Sequence, residues 1–325
     1  MPGFTTHYIF GMKAYNDMPF TPLKHTIAKY RWLYQLGLQG PDMFFYNIPI
    51  LRHRDYRNVG SYMHEHKVNA FFECCLRRIG TIRSRQQQEE AISYLAGFIN
   101  HYIADSICHP YVYGHIGYPV DAPTSMYHGM HAHLENELDA ILLWKYKKKK
   151  PSEFNQTATI CLNGQEIQFI SHFLASCINE TYYPITYRNN FQVTPAMVHR
   201  SIWALRFGCR TLSDKNGKKK FGIAQVESIF VNHPVASAKM VTDSVTDYRS
   251  SCNLNHEAWG NPWDPTRVST ASFVDLFHET LDKCSRVYAL LNSAVTDNMP
   301  LDKQDLSPLL AELGNESYHS GLPVD

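Results

Sequence analysis

The chain has 325 residues, of which 44% are hydrophobic and 13% aromatic, enough apolar material for a substantial core. Its formal net charge is +1, so the composition does not favour a general nucleic-acid or anionic-membrane binder. We find no signal peptide, no apolar run near the ~20 residues of a membrane span, and no CxxC pair among eight cysteines. We therefore expect a soluble cytoplasmic protein without a cysteine zinc finger.

Helical periodicity dominates the sequence. In chain order it predicts helices from Thr21 to about Gly37, over about Tyr62–Ile79, over Glu89–His109, over roughly 130–146, over Gln165–Tyr182, from Pro195 with Thr194 as cap, and near 269–294. The stretch 157–167 is a candidate β-hairpin, 213–222 a polar turn, and 252–266 a lid-like loop. We predict an all-α fold, a single compact domain over residues 1–325 with at most one small hairpin.

A ladder of three polar residues interrupts the apolar pattern in HYIADSICHP. His101, Asp105 and His109 follow one another at intervals of four, and each such step turns an α-helix by roughly 400°, so they share one stripe. Apolar residues surround the stripe, and a buried carboxylate without a partner costs several kcal/mol. A metal cation would offset that charge, whereas a buried His–Asp hydrogen bond without metal is the alternative.

Further candidate ligands lie elsewhere in the first half of the chain. In HAHLENELD, His131 and Glu135 repeat the spacing of four, and His133 and Glu137 form a competing pair two positions on. Imidazole and carboxylate are the ligands that zinc takes in a hydrolytic site without cysteine. Two helices presenting such stripes inward are a common way to build a metal site in a helical protein.

These segments together resemble the bacterial zinc-dependent phospholipase C family, which is related in fold to zinc nucleases of the S1/P1 type. Five segments within residues 4–140 are similar to family motifs, in the family's order: THY, GPDMFFY, GSYMHEHK, HYIAD and HAHLENELD. The resemblance selects His131 and Glu135 over the offset pair, and His64 over His66 and His53.

The resemblance implies a cluster of zinc ions and a set of ligands: His7, Asp42, His64, His101, Asp105, His109, His131 and Glu135. It assigns Asp42 as both a ligand and the catalytic base, and Asp105 as a bridge between ions. We expect two zinc ions, with three as an alternative. Two such ions can activate water and stabilise an in-line phosphoryl displacement.

Two departures from the family pattern affect these assignments. Only Ser106, Ile107 and Cys108 separate Asp105 from His109, fewer residues than in the family, and Pro110 is expected to end the helix at His109. The chain also begins Met-Pro-Gly, whereas secreted members begin with a tryptophan that binds one zinc. The third metal position, which would use His7 and Asp105, is therefore the weakest of the three.

The predicted function is metal-dependent hydrolysis of a phosphodiester, either a phospholipid or a smaller soluble one. A nuclease-like phosphodiesterase is an alternative, but it would need a basic groove with stacking aromatics, and no stable nucleic-acid partner is expected. A non-catalytic helical protein with a structural or vestigial zinc site is a second alternative, because sequence does not show whether a coordination position is open.

Overall fold

The computed structural model describes residues 3–46, 59–122, 125–182, 192–230, 237–245 and 247–325. Within them the fold is mainly helical with one two-stranded antiparallel hairpin, as predicted. The first half contains α1 Phe4–Asp17, α2 Pro22–Lys29, α3 Arg31–Gly37, a 3-10 helix Gly40–Tyr46, α4 Val59–Glu65, α5 Val68–Thr81, α6 Arg85–His115 and α7 Ser125–Lys147.

Two of the predicted helices are each divided into two. The chain bends at Tyr30 between α2 and α3, and at Lys67, which has a left-handed φ of 48°, between α4 and α5. Helix α1 was not predicted. It contains His7, and its first amides Thr5 and Thr6 donate to the buried carboxylate of Asp139 on α7. A carboxylate at a helix N-terminus satisfies amides that have no partner within the helix.

Helix α6 is the central element of the fold. It is 31 residues long, is buried on all sides over much of its length and packs against α1, α2, α3 and the long helix α12 (Phe273–Thr296). A helix with apolar residues all round belongs in a core. The ladder of His101, Asp105 and His109 is therefore held at the centre of the molecule.

The prediction that Pro110 ends this helix is wrong, because α6 continues to His115. Proline removes one helical hydrogen bond and crowds the carbonyl of the preceding turn, here that of Ser106. Gly321 lies against this carbonyl so closely that a Cβ atom there would come within 2.6 Å of the oxygen. The helix therefore continues through the proline at a turn where the C-terminal segment packs closely against it.

Helix α3 crosses α6 at very short range through Gly37 and Gly97. A Cβ atom on Gly37 would lie 2.1 Å from the carbonyl oxygen of Tyr94, and one on Gly97 would lie 2.1 Å from that of Tyr34. The two backbones are thus in direct contact. This contact fixes the start of the 3-10 helix that follows α3 and contains Asp42.

The second half of the chain is also helical. Its elements are 3-10 helices Pro151–Glu153, Gln156–Thr159 and Ser237–Lys239, helices α8 Gly164–Thr181, α9 Pro195–Leu212, α10 Lys218–Phe230, α11 Tyr248–Ser251, α12 Phe273–Thr296 and α13 Ser307–Leu313, and strands β1 Trp259–Asn261 and β2 Asp264–Ser269. Thr194 caps α9 as predicted, its hydroxyl accepting from the amide of Met197.

Three predictions in this half need correction. Residues 157–167 do not form a hairpin, because Asn163 and Glu166 make a capping box that begins α8 there. The hairpin, β1 and β2, lies instead in the second part of the predicted lid loop and extends past residue 266 to Ser269. The polar stretch 213–222 is a turn only in its first part, since α10 begins at Lys218.

The last residues of the chain pack back onto the first half. The amide of Tyr318 donates to the carbonyl oxygen of His64, and the amide of Lys67 donates to that of Asp325. The Tyr102 hydroxyl donates to Glu316 Oε2 at 2.6 Å. None of the described helices is both long and apolar enough to cross a bilayer.

Candidate metal centre

The structure brings seven of the predicted ligands into two adjoining groups. The first cluster consists of Asp42, His64, His101 and Asp105, and the second of His109, His131 and Glu135. Within each cluster one potential ligand atom per residue lies within 4.8 Å of all the others. All but His131 are buried.

The first cluster joins three elements. His101 and Asp105 come from α6, Asp42 from the 3-10 helix, and His64 from the end of α4. His101 Nε2 lies 3.1 Å from Asp105 Oδ2, and His64 Nε2 lies 3.3 Å from Asp42 Oδ1. A left-handed φ of 46° at Gly40 turns the chain into the 3-10 helix, and a Cβ atom there would overlap the His101 ring.

Backbone carbonyl groups orient three of the imidazole rings. The Nδ1–H groups of His64, His101 and His109 donate to the carbonyl oxygens of Gly60 at 2.6 Å, Leu38 at 3.1 Å and Tyr318 at 2.6 Å. This arrangement fixes the proton on Nδ1 and leaves the Nε2 lone pair directed into the cluster. Histidines that bind a metal through one ring nitrogen typically donate the N–H group of the other nitrogen in this way.

The second cluster joins α6 to α7. His131 Nε2 lies 2.5 Å from Glu135 Oε1, and His109 Nε2 lies 3.7 Å from the same oxygen. The competing pair lies outside this group: His133 is half exposed, and the Glu137 carboxylate accepts from the Ser251 hydroxyl. The structure therefore groups His131 and Glu135, and not the offset pair, with His109.

Asp105 lies between the two clusters, and His7 lies beside it. One oxygen of Asp105, Oδ1, is 3.1 Å from His7 Nε2 and 3.8 Å from the His109 ring, while the other faces His101. The His7 ring stacks on His101 at 4.0 Å. His7 thus lies beside Asp105, with which the sequence analysis paired it in a third metal position, and it is not one of the four residues that converge most closely.

Burial and neighbouring charges shift the pKa values of the side chains in both clusters. Burial opposes ionisation of Asp105, but the surrounding histidines hold its pKa well below the usual value. Burial would lower the pKa of His101, yet the Asp105 and Asp42 carboxylates raise it. In the second cluster, burial lowers the pKa of His109 and His131 and raises that of Glu135.

The first cluster fits a divalent cation. Asp42 Oδ1, the Nε2 atoms of His64 and His101, and both Asp105 oxygens are buried and make no hydrogen bond within the described parts of the chain. Buried polar atoms are almost always hydrogen-bonded, and such a group of exceptions on converging side chains calls for an explanation. Imidazole nitrogen and carboxylate oxygen are zinc ligands, and a cation would satisfy them together.

The remaining candidates lie at the margin of the site or away from it. His66 pairs with Asp325 at the surface, and His53 lies outside the described residues. Trp263, from the predicted lid, packs on Tyr113, whose ring lies 4.5 Å from that of His131. Cys108 is buried, and burial raises the pKa of its thiol, which agrees with a packing role.

The C-terminal segment Gly314–Asp325 is the part of the site that sequence analysis did not find. The Tyr318 carbonyl holds His109, and the His319 ring stacks on His64 at 4.9 Å and lies 5.8 Å from His109. A backbone carbonyl has no sequence signature. A single histidine near the end of the chain offered no spacing that would connect it to the others.

Comparison with known families decides the relationship. The family model described as zinc dependent phospholipase C matches residues 6–185, a range that is more than half of the chain and contains the positions of all eight predicted ligands. The chain belongs to this family. As a zinc-dependent phospholipase C family member it carries the buried histidines and carboxylates described above, and the match extends the resemblance beyond residue 140. No curated protein and no solved structure gives a match.

Proposed function

We propose that the protein is a zinc-dependent phospholipase C-type hydrolase that cleaves the phosphodiester of a phospholipid, with a smaller soluble phosphodiester as the other possible substrate. The observation that carries this proposal is the convergence of seven histidine and carboxylate side chains in two groups, with Asp105 of the first group next to His109 of the second. Family membership supports zinc as the metal and a phospholipid as the substrate class.

The residues divide into two ligand sets in this proposal. Asp42, His64, His101 and Asp105 hold one ion and His109, His131 and Glu135 hold a second, with His7 supporting Asp105. When bound, zinc polarises a phosphoryl oxygen and makes water more acidic. Asp42 orients the attacking water and accepts its proton. As the phosphorus–oxygen bond to the leaving group breaks, the proton that Asp42 accepted passes to the leaving oxygen, and the alcohol and the phosphorylated head group are released.

Partly exposed aromatic rings support a substrate with an organic head group. Tyr113 packs against His131, and Tyr118 and Trp263 pack against Tyr113 at 4.8 and 4.9 Å between ring centroids. These rings form one wall beside the second cluster. Such a wall gives apolar contact to a substrate whose phosphate lies over the metal ligands.

The test combines zinc analysis of the purified protein with turnover of phosphatidylcholine and of bis-p-nitrophenyl phosphate. We expect zinc to copurify, a chelator to abolish turnover, and added zinc to restore it. Asp105→Asn should lower kcat/KM at least about a hundredfold. Asp243→Asn is the control, because this aspartate accepts from the Ser152 amide and hydroxyl outside both clusters and should leave turnover within about threefold.

Two results would overturn the proposal. Bound zinc with no turnover of either substrate would support a structural or vestigial zinc site instead. Faster hydrolysis of single-stranded DNA than of phosphatidylcholine would support the nuclease-like alternative.

A further inference from the structure

Helix α9 has two opposite faces of different character. The face that packs into the protein consists of Val198, Ile202, Leu205 and Cys209. The opposite face carries four exposed residues at helical spacing: Arg200, Trp203, Phe207 and Arg210. The side chains of Trp203 and Phe207 are 63% and 54% exposed, and their rings stack at 5.3 Å. Two aromatic rings therefore project into solvent between two arginines.

Helix α10 adds apolar and cationic residues next in the chain. Phe221, Val226 and Ile229 are 66%, 57% and 76% exposed. They follow the lysines Lys218–Lys220 at the start of the helix. Scattered exposed apolar residues are ordinary, but two exposed rings that stack on one helix face between arginines indicate an interaction surface.

The charge of this segment differs from that of the whole chain. Residues 195–230 contain seven lysines and arginines against two acidic residues, a net charge of +5, whereas the whole chain carries +1. Both acidic side chains are engaged in internal hydrogen bonds. Asp214 accepts from the amide of Lys220, and Glu227 accepts from the amide and hydroxyl of Ser237. The surface therefore favours an anionic partner.

Helix α9 also lies directly behind the metal centre. Its inner side packs against the 3-10 helix Gly40–Tyr46, and a Cβ atom on Gly208 would lie 2.4 Å from the Tyr46 ring. That 3-10 helix contains Asp42. A surface that binds through α9 is thus connected to the first cluster by direct packing.

We propose that the exposed face of helix α9, formed by Arg200, Trp203, Phe207 and Arg210, docks onto an anionic phospholipid membrane. Trp203 and Phe207 enter the interfacial layer, where aromatic residues are favoured, and the arginines contact lipid phosphates. The local charge explains how a nearly neutral chain can bind such a membrane. The surface lies outside the two ligand clusters and does not require hydrolysis.

The test is flotation of the full chain with vesicles of phosphatidylcholine alone or mixed with an equal amount of phosphatidylserine. We expect stronger binding to the mixed vesicles, and this preference should weaken with added salt. The double variant Trp203→Ala/Phe207→Ala should lower binding to both vesicles about tenfold. Arg200→Ala/Arg210→Ala should lower binding to the mixed vesicles only, also about tenfold.

A matched control is Trp144→Ala, which removes a tryptophan on α7 that is 55% exposed. It should bind vesicles as the wild type does. Equal vesicle binding by Trp203→Ala/Phe207→Ala and by Trp144→Ala would overturn the proposal. Self-association of the wild type that Trp203→Ala abolishes would also overturn it, because the exposed face would then be a contact between copies of the chain. Turnover of bis-p-nitrophenyl phosphate should be the same in all these variants. Flotation therefore tests the membrane proposal and turnover tests the hydrolase proposal, so one can fail without the other.

Discussion

His131 and His133 are two positions apart on α7, yet their surroundings differ. His131 is mostly buried between Glu135 and His109, whereas half of the His133 side chain is exposed. We predict that His131→Ala loses about one equivalent of zinc per chain, because it removes one of three ligands in the second cluster. His133→Ala should keep the wild-type zinc content. Elemental analysis of both variants checks this, and equal zinc contents would contradict the assignment of His131.

Asp139 predicts a pH dependence of stability. Burial raises its pKa to about 6, although the Thr5 and Thr6 amides favour the ionised form. Between the ordinary aspartate pKa of ~3.9 and about 6, the folded protein binds this proton more tightly than the unfolded chain does. Its contribution to stability is therefore present at low pH and is lost as pH rises through this window, by at most about 3 kcal/mol.

Comparison with Asp139→Asn isolates this contribution. Asparagine does not titrate, so the wild type should lose stability relative to the variant as pH rises from about 4 to about 6. Urea unfolding of both proteins with chelator present measures the difference. If the free energies of unfolding of the two proteins differ by the same amount at every pH in this range, the raised pKa of Asp139 would be contradicted.

At the scale of elements, the contact between α3 and α6 depends on Gly97. Gly97→Ala would place a methyl group 2.1 Å from the Tyr34 carbonyl oxygen, so we predict a loss of about 3 kcal/mol in the free energy of unfolding. Gly222→Ala on α10 is the matched control, because no atom lies within 4 Å of its Cβ position. It should gain about 1 kcal/mol from helix propensity. A similar effect of both substitutions in urea unfolding would contradict the close helix contact.

The C-terminal segment is linked to the metal centre through Tyr102. Its hydroxyl donates to Glu316 and accepts from the amide of that residue. Tyr102→Phe should loosen the segment that holds His109 and weaken zinc binding about tenfold or more. Tyr111→Phe is the control: this buried hydroxyl donates to the Ser251 carbonyl and should affect stability without affecting zinc affinity. Titration with a competing chelator measures both, and equal affinities would argue against a positioning role for the segment.

Periodicity predicted most long helices because each has an apolar face that must be buried. It did not predict that α6 would continue past Pro110, where the segment that packs against this turn, at Gly321, is far away in the sequence. Nor did it predict the bends at Tyr30 and Lys67. These depend on packing between elements, which a local pattern does not contain.

For the whole molecule, the sequence predicted the grouping of ligands from their motif order, and the structure places those side chains together. It named His7 near the N-terminus as a ligand, but it did not predict that the C-terminal segment contacts the site. Helix α1 brings His7 to Asp105, and the last residues bring Tyr318 and His319 to His109 and His64. Contacts across such sequence distances follow only from the three-dimensional packing around α6.

The central claim is that the two clusters hold zinc. The most direct measurement is a zinc-edge anomalous difference map from crystals of the zinc-loaded protein. We predict one peak among Asp42, His64, His101 and Asp105, and a second among His109, His131 and Glu135. A map without a peak at either cluster, or with zinc only at surface histidines such as His66 or His133, would contradict it.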